Sequence, residues 1–301
     1  MVKFGTSIYC VTQKIQSGEW TPPQAIQWLA DQGAETVEIV PFGIDFFGEP
    51  GIIGLCLAAA DKAEITLSNF SLNANFLQIT PAAYDDEMIR VKKYIDVSAK
   101  LGVPTMRVDC SSFRRPVETN TTAEFIRELP TVVDTYKRLC DYAEQYNIAI
   151  LLENHGFHIN GSERTAHIFE AMKDYNFGGQ IDCGNFVCVD DRPESAVKKT
   201  IKYARTVHMK DFYIRPETRD PGDSDQFNCV NSWFRSVGGS YLRGSILAQG
   251  DLDIADIIGT VKKSGFDGNI YIEFEGMEDC LYGTKVSLDN LKRGYALFEK
   301  S

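Results

Sequence analysis

Eight short apolar runs, separated by stretches with helical periodicity, constrain the fold of this 301-residue chain more than any other feature. Runs of this length are typical of buried β-strands, and proline and glycine residues between them mark helix ends. The runs begin at Phe4, Thr36, Ile65, Thr105, Ile148, Gly179, Thr206 and Asn269. Strands that alternate with helices indicate parallel βαβ units, so the pattern predicts an α/β fold.

The spacing of the repeat predicts a (β/α)8 TIM barrel that forms one domain over residues 1–301. The last four runs end in acidic or imidazole side chains: from Glu153 to Asp182 is 29 residues, and from Asp182 to His208 is 26. Both spacings are close to the roughly 30 residues of one strand–helix unit. From His208 to Glu273 is 65 residues. We therefore expect a long insertion after strand seven, over residues 213–250, that acts as a lid or substrate loop.

The candidate metal site consists of Glu153, Asp182, His208 and Glu273. In a parallel barrel the C-terminal strand ends meet around one mouth, where enzymes of this architecture place their chemistry. Three carboxylates in one pocket repel one another unless a cation joins them. With one imidazole they form a hard, oxygen-rich set, for which we expect Mn²⁺, with Mg²⁺ and Co²⁺ as alternatives. Glu273 and Glu275 lie two residues apart and face the same way, so periodicity leaves the choice between them open.

Other candidate catalytic and binding residues lie near these four in the chain. Lys210 shares a strand face with His208 and can neutralise a developing oxyanion. His155 follows strand five and is a candidate auxiliary acid or base. Arg243, within the insertion, is a candidate ligand for a substrate oxygen or carboxylate. Each of these three residues also has a plainer interpretation. A barrel lysine can pair with an acid such as Asp109, and polar side chains in loops often only contact solvent.

The composition narrows the class of partner. A formal net charge of −11 disfavours nucleic acid, because binding a polyanion normally requires a basic surface. No segment approaches the roughly 18 apolar residues of a membrane span, so no membrane association is expected. The cysteines are scattered without a Cys-x-x-Cys pair, which is typical of reduced thiols. We expect a cytoplasmic protein that acts on a small polar molecule, with homo- or hetero-oligomers both open.

Several segments carry a resemblance to a known family. They read LLENHG, GGQIDCGNF, VHMKDF, GDLDI and GNIYIEFEGMEDCLYGTKVSLDNLKR, with weaker matches in FGTSIYC, TVEIV and MRVDCSS. Together they resemble the sugar phosphate isomerase/epimerase group of xylose isomerase-like TIM barrels, the AP endonuclease family 2 type. In such relatives a Glu, an Asp, a His and a last-strand Glu hold the metal. The resemblance thus implies Glu153, Asp182, His208 and Glu273 as ligands, and favours Glu273 over Glu275.

The candidate substrate-binding residues are Arg107, Asn185, Arg243 and Glu275. Asn185 stands where ketose 3-epimerases of the superfamily carry a histidine. Gln249 stands where similar proteins often have a histidine before the last glycine. The substrate range of those enzymes is therefore not transferred to this chain, and whether the substrate is phosphorylated stays open.

The leading prediction is a divalent-metal-dependent isomerase or epimerase of sugars or keto-sugars. Glu153 or Glu273 abstracts a proton to give a metal-stabilised enediolate, which the other carboxylate reprotonates. The alternative is a lyase that expels an aglycone or water from a 3-keto sugar after the same deprotonation. An endonuclease is disfavoured by the acidic charge and by a total of 4 histidines. A noncatalytic barrel that binds a sugar or a partner protein stays open.

Overall fold

Eight parallel strands form a closed barrel in the computed structural model, which describes residues 2–228, 230 and 232–298. Neighbours in the barrel follow chain order, and the last strand pairs with the first to close the cylinder. The barrel strands are β1 (Lys3–Ser7), β2 (Thr36–Ile39), β3 (Thr66–Leu72), β4 (Thr105–Val108), β5 (Ala149–Glu153), β6 (Phe177–Asp182), β7 (Ala204–Met209) and β11 (Asn269–Ile272). The predicted single-domain (β/α)8 barrel is confirmed.

Helices separate the barrel strands along the chain, and several begin at a residue that caps the helix. At the start of the helix Pro22–Asp31, the Thr21 hydroxyl accepts the Gln24 N–H at 3.4 Å, and the Gln24 side chain accepts the Thr21 N–H at 2.8 Å. Such reciprocal bonds satisfy N–H groups that have no partner inside the helix. No helix among the described residues is both long and apolar enough to cross a membrane. The helices are α1 (Thr12–Gln16), α2 (Pro22–Asp31), α3 (Ile52–Lys62), α4 (Pro81–Lys100), α5 (Thr122–Ala143), α6 (Ser162–Ala171), α7 (Pro193–Thr200), α8 (Ile254–Lys263) and α9 (Cys280–Leu297).

The barrel interior is polar beneath the C-terminal mouth. Asn69 of β3 donates to Gln180 of β6 at 2.7 Å, and Ser68 lies 2.6 Å from the Tyr271 hydroxyl. All four side chains are buried. Because side chains alternate along a strand, Gln180 shares its strand face with Asp182 two residues later. This bonded polar layer forms a rigid floor directly below the strand ends.

A small antiparallel sheet follows β7. It consists of β8 (Asp211–Arg215), β9 (Phe234–Arg235) and β10 (Tyr241–Ser245), in the order β8-β10-β9. These strands fall in the region of the expected insertion, 213–250, of which residues 229 and 231 lie outside the described part of the chain. An isolated bridge joins Gly244 of β10 to Gly276 in the loop after β11. The sheet is thereby attached to the segment that carries the last-strand acids.

Replacing Gly244 by alanine is expected to destabilise the fold by about 1–3 kcal/mol, a range typical of overpacked sites. A Cβ atom at Gly244 would lie 2.6 Å from the Glu275 carbonyl oxygen, so the sheet and the loop would have to separate. Urea denaturation measures the change. The control is Gly54→Ala in α3, where an added Cβ meets nothing within 4 Å. Equal stability of the two variants would show that the close approach does not hold the sheet in place.

Candidate active site

The four predicted metal ligands converge at the C-terminal mouth of the barrel. Glu153 ends β5, and Asp182 ends β6. His208 lies one residue before the end of β7, and Glu273 directly follows β11. Parallel pairing aligns Asp182 with His208 across the β6–β7 ladder. As a result, one ligand atom from each of the four residues lies within 4.8 Å of the others.

His208 directs one ring nitrogen toward the three carboxylates. Its Nδ1 lies 3.9 Å from Glu153 Oε1, 3.9 Å from Asp182 Oδ2 and 3.6 Å from Glu273 Oε1. This nitrogen has no hydrogen-bond partner among the described residues. Donor atoms that share one small divalent ion at about 2.1 Å lie roughly 3 to 4 Å from one another. The spacing therefore fits a shared cation.

Glu38 fixes the orientation of the His208 ring. His208 Nε2 lies 2.9 Å from Glu38 Oε2, which also accepts a hydrogen bond from Asn69 at 2.7 Å. With Nε2 as the donor, Nδ1 provides the lone pair that a metal ligand needs. Burial opposes a charge on His208, but the carboxylates of Glu38 and Glu273 raise the pKa of the imidazole well above its usual value. A cation bound at Nδ1 would therefore displace a proton.

Hydrogen bonds from the chain after β6 orient Glu153 and Asp182. Asp182 Oδ1 accepts the backbone N–H groups of Gly184 and Asn185 at 2.8 Å each, which directs Oδ2 toward the cluster. The Asn185 side chain donates to Glu153 Oε1 at 3.1 Å. Burial raises the pKa of Glu153 to about 7, against the opposing charge of the nearby Arg107. Asn185, predicted as a substrate ligand, thus donates hydrogen bonds to two of the predicted metal ligands.

Lys210 lies among the acids at the mouth. Its Nζ is 2.5 Å from Glu273 Oε2, 3.3 Å from Asp182 Oδ2 and 3.2 Å from Glu275 Oε1. The ammonium also donates to the Asn185 side chain at 3.1 Å. Burial opposes the charge on Glu273, but Lys210 holds the pKa of this carboxyl well below its usual value. The lowered pKa favours the ionised carboxylate, which is the form that a metal ligand requires.

Glu273 and Glu275 have different surroundings although they face the same way. Glu273 Oε1 is the oxygen beside the His208 imidazole, and Glu273 belongs to the four-residue cluster. Glu275 contacts Lys210 and lines the adjoining cavity. The geometry therefore favours Glu273 over Glu275 as the candidate metal ligand and places Glu275 at the wall of the adjoining cavity.

A chain of charged side chains continues from Glu153 toward the solvent. Arg107 Nε lies 2.8 Å from Glu153 Oε2, and its Nη1 lies 3.0 Å from Asp109 Oδ1. Asp109 Oδ2 lies 3.0 Å from His155 Nδ1. Burial opposes the charge on His155, but Asp109 raises the pKa of the imidazole above its usual value. Phe113 stacks on the His155 ring at a centroid distance of 5.7 Å, so the imidazole is held on two sides.

A cavity of about 530 Å³ adjoins the four-residue cluster and this chain of charged side chains. Glu273 lines this cavity, whereas Glu153, Asp182 and His208 lie deeper, with side chains at most 2 % exposed. A substrate in the cavity therefore approaches the cluster from the Glu273 side. The other charged or titratable side chains that line the cavity are Glu87, Arg107, Asp109, Arg114, His155, Lys210 and Glu275.

Arg243 lies away from this cavity. Its guanidinium pairs with Glu278 at 3.0 Å and packs over the rings of Tyr213 and Trp233. Arg243 belongs to β10, and periodicity gives no indication of where a sheet outside the barrel packs. The structure therefore separates Arg243 from the other predicted substrate-binding residues, and assigns it a role in holding the small sheet together.

Two residues of the site were not among the predicted site residues. Glu38 lies inside the buried strand TVEI, and Asp109 directly follows β4. A charged residue inside an otherwise apolar strand is costly unless it is paired, which is the signal that could have identified Glu38. Asp109 could have been identified from its position, since it lies at a strand end, as the candidate metal ligands do.

The site contains more buried acids than permanent cations. Its buried cations among the described residues are Arg107 and Lys210. Buried carboxylates of one sign repel one another, and an additional positive charge relieves that repulsion. The charge balance, the ligand types and the open His208 nitrogen therefore all fit a divalent cation. The acids are Glu38, Asp109, Glu153, Asp182, Glu273 and Glu275.

Replacing Glu38 by glutamine is expected to weaken metal binding by about 10- to 100-fold, the usual effect of losing the partner of a ligating histidine. Glutamine keeps the size of the side chain but removes the charge that orients the imidazole. Competition with a fluorescent chelator measures the affinity. The control is Glu35→Gln, an exposed acid just before the same strand. An unchanged affinity in the Glu38 variant would exclude a role in orienting the ligand.

The chain belongs to the family of xylose isomerase-like TIM barrels, whose model matches residues 26–295. Comparison with curated proteins by sequence gives no significant match.

Solved structures with the same fold cover nearly the whole chain. A probable 3-DHS dehydratase, AsbF, from Bacillus anthracis is 12% identical with a TM-score of 0.72, covering 96% of this chain and 98% of its own. A D-allulose 3-epimerase from Methylomonas sp. is 16% identical with a TM-score of 0.67, covering 97% and 98%. The IOLI protein, solved with a bound zinc atom, is 14% identical with a TM-score of 0.72, covering 98% and 99%. At these identities the likeness establishes the fold and not the reaction.

Proposed function

We propose that this protein is a divalent-metal-dependent isomerase or epimerase that acts on a sugar or keto-sugar. The observation that carries the proposal is His208 Nδ1, which faces three carboxylates and has no hydrogen-bond partner among the described residues. The family supports an enzyme of the sugar isomerase and epimerase type, and similar folds bind zinc or act as epimerases. Mn²⁺ is the ion we propose, with Mg²⁺ and Co²⁺ as alternatives.

Glu153, Asp182, His208 and Glu273 would hold the cation. A bound divalent ion would act as a Lewis acid that polarises the substrate carbonyl. Asn185 and Arg107 keep Glu153 in place through contacts of 3.1 and 2.8 Å. Their role is to position the ligands before the substrate enters, which lowers the cost of organising charge during the reaction.

Proton transfer is assigned to the two glutamates of the cluster. Glu273 lines the cavity and can take a proton from the carbon next to the substrate carbonyl. Glu153 lies on β5, separated from β11 by two strands of the barrel, and can act from the other side. Return of the proton to the opposite face of the same carbon gives epimerisation. Its return to the neighbouring carbon gives isomerisation.

Lys210 is assigned to the substrate oxygen that gains negative charge. Its ammonium lies at the bottom of the cavity, beside Glu273 and Glu275. Burial opposes its charge, but the surrounding acids, first Asp182, raise the pKa of the ammonium well above its usual value. A permanently charged donor at this place stabilises an oxyanion without needing to gain a proton.

Three of the four arginines in the insertion pair with acids, which gives little support for a phosphorylated substrate. Arg215 pairs with Asp251 at 2.7 Å, and Arg235 pairs with Glu217 at 2.5 Å. Arg243 pairs with Glu278, as described above. Guanidinium groups already neutralised by acids are poor phosphate ligands. We therefore propose an unphosphorylated sugar.

A lyase that expels a substituent or water from a 3-keto sugar is the second candidate. It is favoured by the Asp109–His155 pair, which lines the cavity next to Glu153. An elimination needs an acid for the leaving group as well as a base, and His155, with a ring nitrogen within 4.8 Å of a Glu153 oxygen, can supply that acid. Product analysis separates the two reactions, since an epimerase returns an isomer of the same mass.

The test is dialysis of the purified full chain against a chelator, followed by addition of Mn²⁺, Mg²⁺ or Co²⁺. Turnover is measured on a panel of ketoses and 3-keto-glycosides by chromatography of the products. We expect activity to disappear with the metal and to return on addition of one equivalent per chain. Full turnover in metal-free protein would contradict the proposal. One tightly bound ion without turnover on any substrate would instead support a binding protein.

A further inference from the structure

The cavity beside the candidate metal site has an aromatic rim, which consists of Tyr9, Phe42, Phe113 and Phe227. Tyr9 and Phe42 come from the loops after β1 and β2, and their ring centroids are 5.9 Å apart. Phe113 comes from the loop after β4 and meets Phe227 of the insertion edge-on at 6.1 Å. Four separate segments of the chain thus each supply one aromatic ring to the same cavity.

Charged and aromatic side chains occupy different depths of this cavity. The charged residues around the metal cluster, such as Arg107, Lys210 and Glu273, are 4–8 % exposed. The four rim aromatics are all partly exposed. The deep end is therefore charged, and the entrance presents aromatic rings among polar side chains such as Arg114 and Asn228.

The cavity exceeds the needs of a single sugar ring. Its volume of about 530 Å³ lies within the roughly 300–1,000 Å³ of sites that bury a drug-sized ligand. The hydroxyl groups of a bound sugar would find partners at the deep end, where the charged side chains lie. The remaining part of the ligand would then contact the aromatic rim.

Several polar groups on the cavity wall already bond to other groups of the protein, although the buried Ser111 hydroxyl has no partner among the described residues. Asn73 accepts a hydrogen bond from Arg107 at 3.0 Å, and Asn75 accepts the Ser112 N–H at 3.0 Å. Glu87 accepts the Asn75 N–H at 2.9 Å and is also paired with an arginine. These groups have limited capacity for the hydroxyls of a second sugar, whereas aromatic faces and edges suit a flat apolar group.

We infer that the site takes a sugar that carries a planar, apolar substituent, with the sugar at the charged end and the substituent against the aromatic rim. This inference rests on the proposed function and names its class of substrate. It applies equally to epimerisation of a substituted sugar and to expulsion of the substituent.

The test compares binding of matched glycosides to the metal-loaded full chain by calorimetry. The probes are the methyl and phenyl glycosides of glucose, galactose, mannose and xylose, with lactose and maltose as sugar-substituted probes. We expect the phenyl member of at least one pair to bind about tenfold more tightly than its methyl partner, from the apolar area buried. Equal binding in every pair would overturn the inference, as would a disaccharide that binds as tightly as the phenyl glycoside.

Substitutions in the aromatic rim test whether these rings cause the tighter binding of the phenyl glycoside. Phe113→Ala and Phe42→Ala are each expected to remove most of the advantage of the phenyl glycoside over its methyl partner. Phe47→Ala serves as the control, since Phe47 is 57% exposed and lies outside this cavity. A phenyl preference that survives both rim variants would contradict the assignment. Because binding is measured without turnover, a protein with the preference but no metal-dependent activity would contradict the proposed function alone.

Discussion

Glu273→Gln is expected to lower kcat/KM by about 10²- to 10⁴-fold, the range for loss of a positioned acid or base, and to weaken metal binding as well. Two contacts carry this expectation. One Glu273 oxygen lies 3.6 Å from His208 Nδ1, and the other lies 2.5 Å from Lys210 Nζ. Glutamine keeps the shape but removes the charge that both neighbours require. Steady-state kinetics and metal titration measure the two effects separately.

The control for this variant is Glu278→Gln. Glu278 lies five residues further along the same loop and pairs with Arg243, away from the metal cluster. We expect its activity and metal affinity to match those of the unmodified protein. If Glu273→Gln retained full turnover with metal bound, Glu273 would be neither a ligand nor a base, and Glu275 would have to be tested next.

Lys210→Met is expected to lower kcat by about 10²- to 10³-fold, as for loss of a donor to a developing oxyanion. Metal affinity should be equal or higher, because the variant removes a positive charge that opposes a cation among the same acids. A lower kcat together with an equal or higher metal affinity distinguishes a group that acts on the substrate from one that holds the metal ligands in place. Metal titration and kcat on the same preparation provide both numbers.

The matched control for Lys210→Met is Lys198→Met, where the lysine forms a surface pair with Asp256. Loss of metal from the Lys210 variant would contradict the assignment, since Lys210 would then be a support for Asp182 and Glu273. Full activity with metal retained would remove Lys210 from the reaction altogether.

The barrel could be predicted because its strands are short, apolar and regularly spaced. The run that begins at Thr105 starts where β4 starts, and the run at Asn269 starts where β11 starts. The small sheet after β7 could not be predicted in the same way. Its strands β8 and β10 pair across a long segment of irregular chain, and such pairing depends on tertiary contacts rather than on local pattern.

The candidate ligands could be predicted from their positions at strand ends, because the C-terminal ends of parallel barrel strands all lie at the same mouth of the barrel. The side chains that contact these ligands could not be predicted in the same way. Glu38 reaches His208 across the interior of the barrel, and its role depends on which way the imidazole turns. Arg107 joins Glu153 to Asp109 through the two sides of its guanidinium. Side-chain contacts of this kind are set by three-dimensional packing and leave no spacing in the sequence.

The most direct test of a shared cation is anomalous diffraction from crystals of the full chain grown with Mn²⁺. The proposed site predicts one strong anomalous peak within about 2.0–2.3 Å of His208 Nδ1 and of carboxylate oxygens from Glu153, Asp182 and Glu273. A peak held by other residues, or no peak at this position under saturating Mn²⁺, would contradict the account.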